Sequence, residues 1–178
     1  MRGPLFVGIE IIRDRTKKLM FIHQANYIDN IIKRFSLEKA HSVAMPMENK
    51  FQLNNAKSCD ESLPYREIIG LLIFLASVTR PDISYSVNYL SPFLANYDNS
   101  HWQAAKRKIK YLLATKNFDI LYDGSQSNSS ELITGYSDAD FAGDVKTRRS
   151  TSGYVFTMSG GPVHMVLPEA EAHGSQHH

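Results

Sequence analysis

Apolar residues along this chain change their period several times, and each change predicts an element. Residues 5–12 and 18–23 are strand-like runs separated by the charged Arg13-Asp14-Arg15-Thr16-Lys17, a pattern that predicts a hairpin with a polar turn. Tyr27, Ile28, Ile31, Ile32 and Phe35 then recur at helical spacing, with Asp29, Asn30, Lys33 and Arg34 opposite, so an amphipathic helix is expected. Residues 43–60 are polar, contain Pro46 and several Asn, and keep no period, which reads as a linker. Ser62 suits the cap of the next helix, with Pro64 tolerated in its first turn. From Ile68 to Val78 apolar residues go almost all the way round, predicting a helix buried on most faces. Arg80-Pro81-Asp82 ends it, because the residue before a proline leaves helical geometry, and Asp82 is expected to cap the following helix, whose stripe is Ile83, Val87, Leu90 and Leu94.

Ser100 with Gln103 fits a capping box at the start of a further helix. Its expected inward face is Trp102, Ala105, Ile109, Leu112 and Leu113, leaving Lys106, Arg107, Lys108 and Lys110 mostly outward. Residues 118–122 form a short strand candidate. The Ser- and Asn-rich stretch 124–131 is a flexible connector and the best domain boundary. Residues 132–141 and 151–158 then read as two strands joined by the basic turn Lys146-Thr147-Arg148-Arg149. The expected architecture is α+β: hairpin and first helix over 1–42, linker over 43–61, helical region over 62–123, connector over 124–131, strand pair over 132–162, and an unrelated or disordered tail over 163–178.

Composition narrows the function classes. No apolar run reaches the ~18 to 20 residues that cross a bilayer, and the N-terminus carries no signal-peptide h-region, so an intracellular chain (cytoplasm or nucleus) with no membrane role is expected. The single Cys59 cannot close an internal disulfide and sits in a polar stretch. His164, His173, His177 and His178 are irregularly spaced, without a periodic scaffold to hold a metal. Net charge is only +2, yet Lys106, Arg107, Lys108, Lys110 and Lys116 fall in a stretch with no acid between Ser100 and Phe118. Such a cluster neutralises phosphates and releases counterions, and a solvated helix face is the plainer alternative.

The stretch from Gly135 to Met158 carries the candidate chemistry. Asp138 and Asp140 stand two apart near the end of an apolar run, and Asp144 follows in the turn. Cutting or joining a phosphodiester requires carboxylates that hold two metal ions against the attacking and leaving oxygens. One Asp cannot do that alone.

GYSDADFAGDVKTRRSTSGYVF over 135–156 resembles the opening of ribonuclease H in Pol polyproteins of copia-type retrotransposons, nearly residue for residue. The likeness extends to FVGIEI over 6–11, NYIDNIIKRF over 26–35, PYREIIGLLIFLASVTRPDISYSVNYLS over 64–91 and HWQAAKRKIKYLLATK over 101–116. The resemblance implies a palm hairpin and first thumb helix, a helical thumb and connection region, and an incomplete ribonuclease H-like hairpin. It also implies an RNA/DNA hybrid or duplex as ligand, Mg²⁺ as the family's cofactor, and Asp138 as the position of a metal-binding, catalytic Asp. The family's polymerase signature, two adjacent Asp, is absent from these 178 residues, and residues 163–178 depart from the family pattern. The expectation is therefore a Pol fragment without stable Mg²⁺, catalytically inert alone, gripping a template-primer through Lys106, Arg107, Lys110, Lys116, Arg148 and Arg149. The alternatives are a non-enzymatic nucleic-acid-binding module and a protein-interaction remnant that needs the missing Pol domains. A third strand is not expected, for want of room between Val163 and Pro168, and two strands alone are marginal in water.

Overall fold

The computed structural model describes residues 8–49, 51–126, 133–140 and 151–166, and is an α+β protein. It divides into two compact units. One draws on the chain up to Ile12 and from Ile22 to Asp119, the other on Arg13–Phe21 and the chain from Ile120 onward.

The first unit contains the base of the hairpin formed by β1 (Glu10–Asp14) and β2 (Leu19–His23), and all of the helices α1 (Ala25–Arg34), α2 (Tyr65–Val78), α3 (Ser84–Asn88) and α4 (Asn99–Ala114). Its interior is built by α1 through Ile28, Ile31 and Ile32, by α2 through Tyr65, Ile68, Ile69, Leu72 and Leu75, and by α4 through Ala105, Ile109 and Leu112. The 3.6-residue period explains these choices, because residues three and four apart share one face. Between α1 and α2, aromatic rings meet edge-on, Tyr27 and Phe74 with centroids 5.3 Å apart.

Helix α2 is buried or half-buried on most faces, as its pattern predicts, and a single stripe of Gly70, Ile73 and Ser77 faces outward, with Ile73 39% exposed. Several local expectations are corrected here. Ser62 does not cap α2, because both its amide and its hydroxyl donate to Asp60 Oδ1, and Pro64 stands at the cap position instead. Asp82 lies inside a 3-10 turn, Pro81–Ile83, and its carboxylate faces Arg80 rather than an orphan helix amide. Ile83, Val87 and Leu90 are fully buried as the stripe predicts, but the helix is broken. Pro92, in the 3-10 turn Ser91–Leu94, has no amide hydrogen with which to continue α3. The box that starts α4 uses other residues. Asp98 Oδ1 accepts from the Ser100 amide at 2.9 Å and the His101 amide at 3.4 Å, and the Asp98 amide donates to His101 Nδ1 at 3.2 Å. Gln103 instead donates to Asn99 Oδ1.

In the second unit the hairpin tip, whose turn is pinned by the Thr16 and Lys17 amides donating to Asp14 Oδ1, joins β3 (Ile120–Asp123) in a sheet of order β1-β2-β3. A second antiparallel sheet, of order β4-β5-β6, is formed by β4 (Thr134–Asp140), β5 (Thr151–Met158) and β6 (Gly161–Val166). β6 overturns two expectations at once: the strand pair expected over 132–162 does have a third strand, and residues 163–166 are not tail. Room is found by turning immediately after β5. Ser159 and Gly160 adopt φ of +51° and +82°, the left-handed pair that a two-residue hairpin turn demands, and Met158 then pairs with Gly161. Gly161 also allows close approach, since a Cβ there would lie 2.6 Å from the Tyr122 ring. The Tyr122 hydroxyl donates to Pro162 O at 2.6 Å and the Asp123 amide to Ser159 O at 2.7 Å. Those bonds, with Gly124 N donating to Lys18 O at 2.8 Å, bind the start of the expected connector into the unit. The boundary consequently falls between Asp119 and Ile120, ahead of residues 124–131.

Candidate nucleic-acid interface

Helix α4 presents the candidate cations. No acidic residue occurs in its sequence, and its period divides the basic residues unequally. Lys106, Arg107 and Lys110 lie on the side away from the core and are half-buried, with Lys106 and Lys110 one turn apart. Lys106 holds its ammonium 5.4 Å from the centroid of the Trp102 ring, which also meets the Phe35 ring edge-on at 5.7 Å and packs against the core cluster. Arg107 pairs with Glu48 at 2.9 Å, and Lys116, just beyond the helix, pairs with Asp29 at 3.1 Å. Trp102 therefore packs as part of the protein, its indole shared between an aromatic edge and a cation.

Lys108 departs from the expected outward set. It is fully buried, its Nζ has no hydrogen-bond partner among the described residues, and it rests 5.7 Å from the centroid of the Phe51 ring. Burial, with the neighbouring Arg107 charge, pushes its amine down to about 8. The reason is position: Lys108 follows Ala104 by four residues and precedes Leu112 by four, so the helix turns it inward whatever its charge.

A second buried cation, Arg80, had no counterpart in the sequence reading. Its guanidinium donates through Nε and Nη2 to the two oxygens of Asp82 at 2.9 and 2.6 Å, and through Nη1 and Nη2 to Thr115 O and Thr115 Oγ1 at 3.0 and 2.6 Å. The rings of Tyr111 and Phe118 lie 5.6 and 5.4 Å from it. Tyr111 completes the cluster by donating to Asp82 Oδ2 at 2.8 Å. Burial alone raises the Asp82 carboxyl, but the hydrogen bond and charge of Arg80, helped by Tyr111, hold it below the usual carboxylate range. Thr115 ends α4, so Arg80 is in effect a side-chain cap on the basic helix. The signal available was the Arg-Pro-Asp triplet: a fully buried Arg needs a carboxylate, and one stood two residues away.

Asp138 occupies β4 with Gly153 as its register partner, and Asp140 faces Thr151 across the same ladder. Asp144, Arg148 and Arg149 lie outside the described residues. Among the described residues no group of three or more His, Cys, Asp or Glu is arranged to hold a metal ion, and no helix is long and apolar enough to cross a membrane.

No family model and no solved structure matches the chain. Among curated proteins, it is 34% identical over 172 residues to the retrovirus-related Pol polyprotein from transposon TNT 1-94 of Nicotiana tabacum, covering 90% of this chain and 13% of that protein. The retrovirus-related Pol polyprotein from transposon RE1 of Arabidopsis thaliana is 37% identical over 160 residues, covering 89% of this chain and 10% of that protein. A protein described as secreted RxLR effector protein 161, from Plasmopara viticola, is 43% identical over 103 residues, which cover 58% of this chain and 70% of that one. The chain thus spans only 10 to 13% of the length of these two Pol relatives. With their likeness running along nine-tenths of its residues, the chain belongs to the retrovirus-related Pol polyproteins of copia-type transposons.

Proposed function

We propose that this segment of Pol holds a nucleic-acid backbone on the outer side of α4 and carries out no chemistry by itself. The observation that carries the reading is the placement of Lys106 and Lys110 on the outer side of a helix that contains no acid, with Arg107 beside them held by Glu48. Point charges on one face meet successive phosphates and gain affinity by releasing counterions, whatever the base sequence. The ligand in this reading is an RNA/DNA hybrid, in keeping with a Pol polyprotein. Lys116, held by Asp29, flanks the same helix. Asp138 is the remnant of a metal-dependent nuclease position, one Mg²⁺ ligand where two ions need several.

A gel shift with an RNA/DNA hybrid across a salt series tests this. Retardation should weaken steeply with salt, and Lys106→Ala with Lys110→Ala should flatten the salt slope by about two. No salt-sensitive retardation sinks the reading. A second reading, a face for protein partners on the second unit, is favoured by the exposed Tyr154 and Phe156 on β5, which meet edge-on at 5.6 Å. That reading predicts no dependence of hybrid retardation on the α4 lysines.

A further inference from the structure

Residues 43–49 and 51–60, expected as a linker, form a strap laid on α4 and on the chain around α3. Leu53 is buried in the core cluster, with Val43, Phe51 and Cys59 packed against it, and the polar attachments are spaced along the strap. The Val43 amide donates to Lys110 O at 3.4 Å, Glu48 pairs with Arg107 at 2.9 Å, and the Phe51 ring covers Lys108 and meets the edge of Tyr89 at 6.1 Å. The Leu53 amide donates to Tyr89 Oη at 3.0 Å and the Asp60 amide to Tyr97 O at 2.9 Å. Beneath the strap lie two buried donors without partners among the described residues, Lys108 Nζ and Arg107 Nε. A buried ammonium without hydrogen-bond acceptors is costly, and a Phe face compensates only in part. The carboxylates on the surrounding elements are engaged elsewhere: Glu48 with Arg107, Asp60 with Ser62, Asp82 with Arg80 and Tyr111, and Asp98 with Ser100 and His101. Tyr89, Tyr111 and His101 likewise have partners, and the strap's own Cys59 bonds the Tyr97 side chain, with Glu61 acting on the same pair.

We propose that the strap is a displaceable cover. It closes over Lys108 as an uncharged amine, loosens when that amine carries a proton, and on lifting presents Lys108 and Arg107 to a phosphate that takes the place of Glu48. The phosphate part rests on the nucleic-acid reading above; the opening part does not. The direction with pH follows from linkage. The open state binds the proton with ordinary lysine affinity and the closed state more weakly, so closure strengthens as pH rises from about 8 toward 10.5 and is weakest, and flat, below that window.

Hydrogen exchange at the Val43, Leu53 and Asp60 amides, compared between the wild-type chain and Lys108→Met, cancels intrinsic exchange chemistry. The wild-type to variant rate ratio should fall about twentyfold between roughly pH 7.5 and 9.5, with the variant better protected at the lower pH. A ratio flat with pH overturns the cover. Adding the RNA/DNA hybrid near neutral pH should speed exchange at these amides in the wild-type chain, and Glu48→Gln should tighten hybrid binding several-fold. A hybrid that binds while leaving the strap amides as protected as before overturns the phosphate part. A hybrid that does not bind at all removes the nucleic-acid reading and leaves the pH result standing.

Discussion

Arg80 and Lys108 enter the same interior under opposite terms. Arg80 has donors to spare and meets acceptors for most of them, two on Asp82 and two on Thr115, so its charge is matched where it is buried. Asp82→Asn should cost about 3 kcal/mol of unfolding free energy, because the guanidinium stays buried while its counter-charge is gone; denaturant titration near pH 7 measures it. The same pair sets an acid limb. Asp82 is held below its ordinary 3.8, so its contribution is complete above that pH and is lost as pH falls through the lower folded value. Stability should decline on acidification in the wild-type chain and less so in Asp82→Asn. Side-chain chemistry and period disagree at Lys108, whose charge predicts an outward position while its spacing from Ala104 and Leu112 is that of a core position, and the residue is buried. Period is the better guide when the two disagree, since the backbone decides where a side chain begins.

Among the elements, strands and helices stand close to where the hydrophobic pattern predicts them, and the errors gather at their ends. α1 and β5 fall on or beside the expected spans, whereas the starts of α2 and α4 were assigned to the wrong caps. Caps are decided by a single hydrogen bond, and several polar residues in a row can each offer one. Asp98 wins over Ser100 because its carboxylate takes two amides while Ser100 spends its hydroxyl on Asp98 itself. β6 was missed for a different reason. Room for a third strand is too short when counted from Val163 to Pro168, but the Ser159-Gly160 turn lets the strand begin at Gly161, where Gly161 gives Tyr122 room and Pro162 supplies a carbonyl to its hydroxyl. Gly160, at φ +82°, tests the turn. Gly160→Val should destabilise the β5–β6 hairpin by about 1 to 3 kcal/mol, the range for a β-branched residue forced into a left-handed conformation. Faster exchange of the β5 and β6 amides, with α2 and α4 unaffected, is the expected signature.

On the scale of the whole molecule, the buried apolar cluster is drawn from residues 28–112, all within the first unit, while Tyr136, Tyr154, Phe156, Met158 and Val163 of the second unit stay exposed among the described residues. Unfolding in urea should therefore show two steps by far-UV circular dichroism, with emission from Trp102, the chain's one tryptophan, following only the later step. A single transition shared by both signals would show that the units unfold as one. The mixed α+β class and the membership of the Pol family were legible in the sequence, the first from its periods and the second from long motifs read in order. The division into units was not, because it depends on the hairpin tip and β3 pairing across more than a hundred residues. No local period records such a pairing.

The confinement of the core to one unit has a genetic consequence. Mobile elements leave behind copies that gather substitutions, and in this polypeptide β4, β5 and β6 supply none of the described side chains that make up the helical interior. Mutational erosion of the sheet can thus run its course while the helical body persists, so the two halves of one reading frame are free to age at different rates.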